Sequence, residues 1–366
     1  MRAIIVGGGI GGLTAAAALH RRGWEVEVLE RAPAFTEVGA GLMVQPNALR
    51  ALDTLDLGDT VRAQAPSGPP GGLREPGGGW LTRPDAADLQ RRFGQWVMLH
   101  RADMLNLLLK KVPSNALRSG VEVREVRPED GTVLHSEGTS AGDLVVGADG
   151  LRSVVRRSVW PDAVAPRYAG YTTWRLLVPA HPVEGLVETW GRGERFGYAP
   201  LPDGRIYCYA TFRAPEGRLS DLAEVRRRFG KWHDPIPALL ASVEEKDALQ
   251  HDTYDLSSLP SYAKGKVVVL GDAAHAMTPN LGQGACQAME DAVVLAAAMA
   301  DGGGPVAYDK ARRARTQMVV RQSRRLGVMA HLNVPGLTNV RNAAMKLSPA
   351  SAFVKQVAPV VGWKPE

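Results

Sequence analysis

The sequence predicts an α/β fold in which a parallel-sheet domain is interrupted by a mainly antiparallel β domain and followed by a C-terminal helical segment. Two α/β signatures, near residues 3–30 and 266–300, flank a stretch at 165–215 that is rich in β-branched and aromatic residues. Continuous apolar runs are typical of strands buried on both faces of a parallel sheet, whereas short strands between turn signals are typical of antiparallel sheets. A chain of 366 residues is long enough for both units.

The first signature is a strand, a glycine-rich turn, a helix and a second strand within 30 residues. The apolar run at 3–6 predicts the first strand, and the alanine-rich segment 13–19 predicts a helix that stops at Gly23. Residues 25–30 alternate as a strand does and end on a carboxylate.

Local patterns predict the elements that follow. The Pro- and Gly-rich residues 66–79 indicate loop or tight hairpin connections. Leu105, Leu108 and Leu109 would share one face of a helix over 98–111. The remaining predictions are strands at 121–126 and 143–146, a helix from about Ser153, antiparallel sheet over 165–215 with a turn at 202–204, a buried strand at 266–270 and a helix over 284–300.

The composition excludes several classes of protein. The 45% hydrophobic content argues against disorder, and the 40 glycines follow no three-residue period. No stretch approaches the roughly 18 uncharged apolar residues of a membrane span, so we expect no stable membrane association. The net charge of +6 has no nucleic-acid-binding motif beside it, and we interpret the basic run from Lys310 to Arg325 as a solvated helix face.

Cys208 and Cys286 are too few for a disulfide framework or a zinc site, so we expect two reduced, buried thiols and no bound metal. The apolar run after Arg2 is too short for a secretory segment, and a cytoplasmic location is therefore expected.

The first motif is Gly7-x-Gly9-x-x-Gly12. Gly7 permits the tight turn, Gly9 lets the backbone approach a pyrophosphate, and Gly12 lets the helix pack on the strand. Glu30 follows 18 residues later, at the end of the second strand, where it would accept a hydrogen bond from a ribose hydroxyl. The whole pattern predicts dinucleotide binding, and the carboxylate disfavours a 2′-phosphate at this site.

Two further motifs lie later in the chain. The segment from Asp143 to Ser153 delivers Asp149 and Gly150 to a strand-to-helix turn. The segment from Gly271 to Gly284 places Asp272 after a buried strand, lets the backbone lie close to a flat ligand, and opens a helix whose positive end points at that ligand.

Together, the three motifs resemble, in order and spacing, those of the flavin-dependent aromatic hydroxylases of the para-hydroxybenzoate hydroxylase fold. The resemblance covers about residues 1–325 and is strongest to single-component enzymes such as urate, salicylate and 6-hydroxynicotinate hydroxylases. Segments that also match are 39–41, 46–50, 100–105, 168–171 with Trp174, and 193–195.

The resemblance implies a Rossmann-like FAD-binding domain. It places Gly9, Gly11 and Gly12 at the pyrophosphate, Glu30 at the adenosine ribose and Arg101 at the phosphate or ribityl region. The other residues it assigns to FAD are Gly7, Ile10, Arg31, Gly41, Met43, Val126 through its backbone on the adenine side, Asp149, Gly271, Asp272 at the ribityl-pyrophosphate, Pro279, and Gly282, Gln283, Gly284 and Ala285 along the isoalloxazine.

The implied activity is NAD(P)H-dependent monooxygenation of a small or medium aromatic substrate through a flavin C(4a)-hydroperoxide. NADPH or NADH would visit transiently, and molecular oxygen would be the co-substrate. The residues alone leave open a flavin-dependent dehydrogenase or reductase, whose product would carry no oxygen from O2, and a non-catalytic flavin-binding protein.

Arg195 and Tyr207 are the candidate substrate-binding residues. Tyr207 and Tyr209 share a strand face by alternation, and Arg195 would pair with a carboxylate or phenolate. The alternative is a surface arginine beside sheet-packing tyrosines. The resemblance to urate enzymes favours the pair Arg195 and Tyr207, but Thr173 stands where those enzymes have an asparagine, which argues against urate.

His275 and His100 are expected to be structural hydrogen-bonding residues rather than bases. The expected division of the chain is an FAD-binding domain of residues 1–66, 98–164 and 262–330, a substrate domain of 67–97 and 165–261, and a C-terminal helical segment of 331–366. We expect a monomer or a homodimer.

Overall fold

A computed structural model describes residues 1–36, 41–64, 71–163 and 165–365. Two groups of residues named above lie outside these ranges. They are Gly39 and Ala40, from a segment that matches the family, and residues 66–70 of the predicted connection. The strands in chain order are β1 (Arg2–Val6), β2 (Glu25–Glu30), β3 (Gly41–Val44), β4 (Gly72–Arg74), β5 (Trp80–Thr82), β6 (Val97–His100), β7 (Leu117–Ser119), β8 (Val123–Arg127), β9 (Thr132–His135), β10 (Gly138–Ala141), β11 (Leu144–Gly147), β12 (Arg167–Val178), β13 (Val187–Trp190), β14 (Glu194–Pro200), β15 (Ile206–Arg213), β16 (Ala248–Asp255), β17 (Ala263–Lys264) and β18 (Val267–Val269).

Helices cover both sheets and form the end of the chain. They are α1 (Ile10–Arg21), α2 (Pro46–Asp53), α3 (Gly58–Gln64), α4 (Ala86–Phe93), α5 (Arg101–Leu109), α6 (Val154–Val159), α7 (Leu222–Phe229), α8 (Ile236–Ala241), α9 (Asp272–His275), α10 (Gly284–Ala300), α11 (Gly304–Ala330), α12 (Leu337–Leu347) and α13 (Ala350–Val361). Within the described ranges, no helix is both long and apolar enough to cross a bilayer.

The first sheet has the order β17-β18-β11-β1-β2-β7. Its strands are parallel except for the edge strand β17, and β1 lies between β2 and β11. The strands predicted at 3–6, 25–30, 143–146 and 266–270 all belong to this sheet, which confirms the predicted α/β class. The apolar runs Ile4–Ile5 and Val267–Val269 are fully buried, as expected for strands covered by helices on both faces.

The second large sheet has the order β16-β12-β15-β14-β13-β4-β5. All pairings are antiparallel except that of β13 with β4. It confirms the antiparallel sheet predicted over 165–215, and the turn at Pro202–Gly204 joins β14 to β15. One face packs on α7 and α8 through a core of its own, which includes Trp174, Phe196 and Phe229. The opposite face is therefore left for a site.

The helix predicted over 98–111 is wrong at its beginning. Residues Val97–His100 form β6, which pairs antiparallel with β3, and the helix α5 begins only at Arg101. Val97 and Leu99 are fully buried in this two-stranded sheet. The pairing partner lies more than 50 residues earlier, so the local helical spacing of Leu105 and Leu108 does not reveal it.

The solvated face predicted for the basic run on α11 is wrong in part. Arg312 is buried, and its guanidinium contacts Glu290 and Asp291 of α10. Arg321 and Arg325 are exposed, as predicted. The two predicted buried free thiols, Cys208 and Cys286, are confirmed.

Candidate active site

The first glycine turn connects β1 to α1 and packs directly against the backbone that follows β11. Gly7 has a φ of +105°, and a Cβ built on it would lie 2.4 Å from the carbonyl oxygen of Ala148. A Cβ on Gly12 would lie 1.9 Å from the Gly7 carbonyl oxygen. Both positions therefore require glycine, as the motif predicts. Among the described residues, no side chain caps α1 at Gly9, and its first turn holds no acid.

Glu30 ends β2 beside this turn. Its carboxylate accepts hydrogen bonds from the Gly8 amide at 2.7 Å and from the Ala32 amide at 2.8 Å. Glu30 thus holds the glycine turn in place while each oxygen keeps a lone pair for a further donor. Arg31 follows it and is exposed.

Asp149 caps the helix that follows the second motif. Its carboxylate accepts from the Ser153 hydroxyl at 2.6 Å and from the Val154 and Val155 amides at 2.6 and 3.1 Å. Burial raises the pKa of Asp149, although these donors oppose the shift. The helix α6 indeed begins directly after Ser153. This side chain therefore shapes the turn, and the neighbouring Gly150 faces the cavity described below.

The third motif forms the loop between β18 and α10. Gly282 is left-handed, with a φ of +62°. The side-chain amide of Gln45 donates to the carbonyls of Leu281 at 2.7 Å and Gly282 at 3.3 Å, so a residue preceding α2 fixes this loop. Among the described residues, α10 has no side-chain cap and no acid in its first turn. Its N-terminus is therefore open to an electron-rich group.

A buried polar network that centres on Asp291 also anchors this loop. Asp291 of α10 accepts from the Gly271 amide at 3.0 Å, contacts the His275 ring nitrogen at 2.5 Å and accepts from Arg312 at 2.7 Å. Burial alone would raise the pKa of Asp291, but His275 and Arg312 hold it below its ordinary value. His275 is thus placed as a structural residue, as predicted.

Glu290 extends the network towards α2 and α11. Its carboxylate accepts from the Asn47 amide at 2.6 Å and the Gln287 amide at 3.0 Å, and from both Arg312 and Arg315. Gln283, which was assigned to the cofactor, places its side-chain oxygen in this network, 2.9 Å from the Asn47 amide nitrogen. The loop from 271 to 284 is therefore held by charge-assisted bonds, which are stronger than neutral ones.

The face of the antiparallel sheet opposite α7 carries the predicted substrate residues. Arg195 of β14 is only 2% exposed, so the alternative of a surface arginine is wrong. Its Nε lies 3.2 Å from a carboxylate oxygen of Glu188 on β13. Burial would lower the pKa of Arg195, but Glu188 raises it, and the guanidinium stays charged. Burial raises the pKa of Tyr207 and Tyr209, so both remain neutral phenols.

Glycines make room for these tyrosines. A Cβ on Gly41 would lie 2.6 Å from the Tyr207 ring, and one on Gly197 would lie 2.2 Å from Cζ of Tyr209. The two rings lie side by side, 6.1 Å between centroids, as the alternation predicts. Thr173, on the neighbouring strand β12, bonds to the Thr253 hydroxyl at 3.0 Å.

One cavity of about 1280 Å³ joins the helix N-termini to this sheet face. The predicted site residues that line it are Gly9, Ile10, Gly11, Gly41, Met43, Arg101, Arg195, Tyr207, Gly271, Asp272, Pro279, Gly282, Gln283, Gly284 and Ala285. Those that do not line it are Gly7, Gly12, Glu30, Arg31, Val126 and Asp149. Gly7 and Gly12 act through the turn, and the Val126 amide faces the Ser158 hydroxyl at 3.4 Å.

His100, by contrast, contacts Asp203 in the β14–β15 turn at 2.8 Å. It ends β6 immediately before Arg101, so it positions the start of α5, as expected for a structural histidine.

Gln45, Glu188 and Trp190 are among the cavity residues that sequence reasoning missed. Gln45 directly precedes the matching segment 46–50, which was a usable signal. Glu188 and Trp190 alternate on the short strand β13, where an acid within an otherwise uncharged strand could have marked a charged partner for Arg195.

The cavity fits FAD. Two uncapped helix N-termini, those of α1 and α10, open onto it, and the wall between them is glycine backbone at 9, 11, 282 and 284. Such N-termini bind pyrophosphate and other electron-rich groups. The cavity is larger than the roughly 300–1,000 Å³ of a single small-molecule site, so it also has room for a substrate.

Comparisons with known proteins agree with this geometry. The Aurachin C monooxygenase/isomerase of Stigmatella aurantiaca is 39% identical over 305 residues, which cover 80% of this chain and 79% of that protein. The 3-amino-4-hydroxybenzoate 2-monooxygenase of Streptomyces cremeus is 37% identical over 361 residues, covering 91% and 88%. The crystal structure of Klebsiella pneumoniae HpxO complexed with FAD and uric acid has a TM-score of 0.91 at 28% identity, covering 100% of this chain and 97% of that chain.

The family model described as an FAD binding domain matches residues 1–323. This range nearly coincides with residues 1–325, over which the sequence resembles the flavin-dependent hydroxylases. The predicted fold, cofactor and enzyme class are thereby confirmed. The chain belongs to the FAD-binding family of flavin-dependent aromatic hydroxylases, and it is an FAD-dependent monooxygenase.

Proposed function

We propose that the chain hydroxylates an electron-rich aromatic ring held between the α10 N-terminus and the sheet face that carries Arg195, Tyr207 and Tyr209. The observation that supports this proposal is the continuity of one cavity from the two uncapped helix N-termini to those three side chains. The proteins compared above differ in their aromatic compounds: HpxO is complexed with uric acid, and the Streptomyces cremeus enzyme is named for 3-amino-4-hydroxybenzoate. These descriptions do not select a ring for this chain.

We assign the cofactor contacts to the backbone of the two glycine loops. Gly9, Gly11 and the α1 N-terminus would bind the pyrophosphate, since unpaired N–H groups and the helix dipole favour an anion. Glu30 would accept from the adenosine ribose with its remaining lone pairs, and Arg101 would face the phosphate or ribityl region. The residues that we assign to the adenine end, without support from the cavity lining, are Arg31 and Val126.

The second loop carries the reacting end. Asp272 begins α9 with an exposed carboxylate, suited to a ribityl hydroxyl. Gly282, Gly284 and Ala285 would lie along the isoalloxazine, with the α10 N-terminus at its pyrimidine edge, where the helix dipole stabilises developing negative charge.

FAD held by these loops would supply the redox chemistry, with NADPH or NADH as hydride donor and molecular oxygen as co-substrate. The protein holds the reacting ring in place and excludes water from it. The phenols of Tyr207 and Tyr209 remain protonated at neutral pH. Tyr207 can donate a hydrogen bond to an oxygen of the substrate, whereas the Tyr209 hydroxyl interacts with Glu188.

The test is oxygen transfer by the purified holoenzyme. With the right substrate, NAD(P)H oxidation should rise, and one atom of ¹⁸O from labelled O2 should enter the product. A product without ¹⁸O would instead support a dehydrogenase or reductase. An FAD-saturated enzyme that consumes no NAD(P)H across a broad aromatic panel would support a non-catalytic flavin-binding protein.

A further inference from the structure

The last three helices carry an excess of positive charge. Residues 310–365 contain eleven lysines and arginines and no aspartate or glutamate, although the whole chain has 44 basic and 38 acidic residues. Part of this charge is neutralised inside the fold, because Arg312, Arg315 and Arg324 form ion pairs with acids of other elements. The remaining cations have no acid of their own segment beside them in the sequence.

Three of these cations lie on the surface of two neighbouring helices. Arg321 and Arg325 are exposed, and their spacing of four residues places them on one face of α11. Lys355 is exposed on α13, which lies beside α11 because the Gln322 side chain donates to the Gln356 carbonyl at 2.9 Å. In the part of the chain that the structure describes, these three cations take part in no ion pair. We call Arg321, Arg325 and Lys355 the basic rim.

Exposed apolar side chains follow the basic rim along the chain. Of the nine large hydrophobic side chains that are exposed within the described ranges, six lie between residues 328 and 347. We call these six the apolar patch: Val328, Met329, Val334, Leu337, Val340 and Leu347. Single exposed hydrophobic residues are ordinary, but a cluster of them marks a surface that binds a partner.

The patch is continuous from the end of α11 to α12. The Arg341 guanidinium of α12 donates to the Met329 carbonyl at 3.2 Å, which holds the two helices together. The Thr338 hydroxyl donates to the Val334 carbonyl at 3.2 Å, which ties the connection to the first turn of α12. Val328 lies one turn after Arg325 on the same face of α11, so the patch also adjoins the basic rim.

The helix α12 has the reverse of the usual arrangement of side chains. Leu337, Val340 and Leu347 recur at helical spacing on its outer side, where they are 51%, 64% and 84% exposed. The charged Arg341 is buried on its inner side. A surface helix normally turns its apolar stripe towards the core, so this outward stripe indicates a partner outside the fold.

The charges distinguish two partners for this surface. A two-fold contact between copies of the chain would place the same surface on both sides and bring two positively charged surfaces together. A bilayer that contains anionic lipids has an apolar layer directly beneath a negatively charged surface. It therefore complements the apolar patch and the basic rim at the same time.

We propose that the apolar patch and the basic rim dock this protein on the surface of an anionic lipid bilayer. The patch enters the boundary between headgroups and acyl chains, and the rim pairs with the headgroups. The contact is peripheral and reversible, and it needs no helix that crosses the bilayer. It also turns the mouth of the cavity towards the lipid, because Lys346, Ser348 and Gln356 are exposed and line the cavity beside Leu347.

The experiment measures cosedimentation of the FAD-loaded protein with vesicles of two compositions. One is an equimolar mixture of phosphatidylglycerol and phosphatidylcholine, and the other is phosphatidylcholine alone. We expect at least tenfold tighter binding to the anionic vesicles at about 0.1 M salt. Most of this binding should be lost at about 1 M salt, where the screening length falls to about 3 Å.

The basic rim is tested by removing two of its charges. The double variant Arg321→Gln with Arg325→Gln should bind the anionic vesicles about 25-fold more weakly, at about fivefold for each charge. The control Arg124→Gln with Arg227→Gln removes two exposed arginines elsewhere and keeps the same net charge as the test variant. It should bind as the unchanged protein does.

The apolar patch is tested in the same way. Leu337→Ser with Val340→Ser should bind the anionic vesicles at least tenfold more weakly, because the two side chains no longer enter the bilayer. The control Leu219→Ser with Val306→Ser changes the same residue types at positions that are 88% and 76% exposed outside the patch. All four side chains are exposed, so both variants should keep the flavin-to-protein ratio of the unchanged protein.

A fluorescent label tests the orientation of the docked protein. The two native thiols, Cys208 and Cys286, are buried, so an environment-sensitive fluorophore attaches to an introduced cysteine. On Ser348→Cys, at the mouth of the cavity, its emission should shift to the blue when anionic vesicles are added. On Ser119→Cys, which is exposed on β7, its emission should not change.

Several results would overturn the proposal. Binding that ignores anionic lipid and salt would remove the role of the basic rim, and equal affinities of either double variant and its control would remove the role of that surface. A blue shift at Ser119→Cys but not at Ser348→Cys would show that another face meets the lipid. A dimer in solution that Leu337→Ser with Val340→Ser dissociates, without vesicle binding by the unchanged protein, would assign the patch to a second copy of the chain instead.

Discussion

Replacing Arg312 with methionine tests the buried network that holds the flavin-side loop. The guanidinium donates to Asp291 at 2.7 Å, to Glu290 at 2.5 Å and to the side-chain oxygen of Gln287 at 2.8 Å. Arg312 is 1% exposed, and both carboxylates are fully buried. Methionine fills a similar volume, so the main loss is electrostatic: it leaves Asp291 and Glu290 with one cation fewer inside the protein.

Removing one partner of a buried ion pair costs about 3–5 kcal/mol. For a chain of 366 residues that loss lowers the unfolding midpoint by roughly 4–7 °C. The assay is thermal unfolding of the FAD-saturated protein, followed by far-UV circular dichroism and by release of flavin fluorescence. Because Asp291 also holds the Gly271 amide, we expect FAD release to precede global unfolding in Arg312→Met.

The matched control is Arg321→Met, on the exposed face of the same helix, which should change the midpoint by less than about 2 °C because surface substitutions cost little. Equal midpoints for the two variants would refute the reasoning, since they would mean that the buried guanidinium carries no more stability than an exposed one. A lowered midpoint with unchanged flavin release would refute only the link to the loop.

Three further outcomes are expected. Gly12→Ala should lower the amount of bound FAD at least tenfold, because its methyl group would lie 1.9 Å from the Gly7 carbonyl oxygen. The control Gly77→Ala has open space around the added methyl group and should bind FAD normally. Equal flavin-to-protein ratios for the two variants would contradict the close-packed turn. Tyr207→Phe should raise the substrate Kd about five- to tenfold through one lost hydrogen bond, while Tyr168→Phe, whose hydroxyl bonds to the Ala214 carbonyl, should not; equal Kd values would remove Tyr207 from the site. The pKa of Asp291 is lowered in the folded protein, so its ionised carboxylate stabilises the fold above about pH 4, and this stabilisation is lost as the pH falls through the folded value. Asp291→Asn should therefore be less stable at pH 7. Its unfolding midpoint should also fall less steeply than that of the unchanged protein between pH 5 and pH 2.

The sequence was informative wherever local sterics decide the structure. Gly7 and Gly12 are required by contacts within the turn and its neighbouring strand, and the apolar run at 267–269 requires cover on both faces. These constraints act over short stretches of chain, so a spacing pattern can reveal them. The parallel sheet and the cofactor turn could therefore be predicted from residues alone.

Where the prediction failed or was silent, the deciding partner is distant in the chain. Arg312 was predicted to face solvent because its helix is rich in arginine, yet its carboxylate partners lie 21 and 22 residues earlier, on α10. Glu188 became a partner of Arg195 only through the register of β13 against β14. The strand at 97–100 exists because β3 pairs with it. Such pairings depend on the assembled fold, and the local pattern of a single sequence does not show them.

The helix α11 touches both ends of the site. Arg312 near its beginning holds the loop that we assign to the flavin. Leu326 and Met329 near its end line the far part of the same cavity, about 21–26 Å further along at 1.5 Å per residue. The loop that we assign to the flavin and the far end of the cavity are thus contacted by separate sections of one helix. A change of substrate range is therefore best sought in α11 beyond residue 325 and in α12, because α13 is tied to the flavin-side network through the bonds from Arg315 to the Pro359 and Val360 carbonyls.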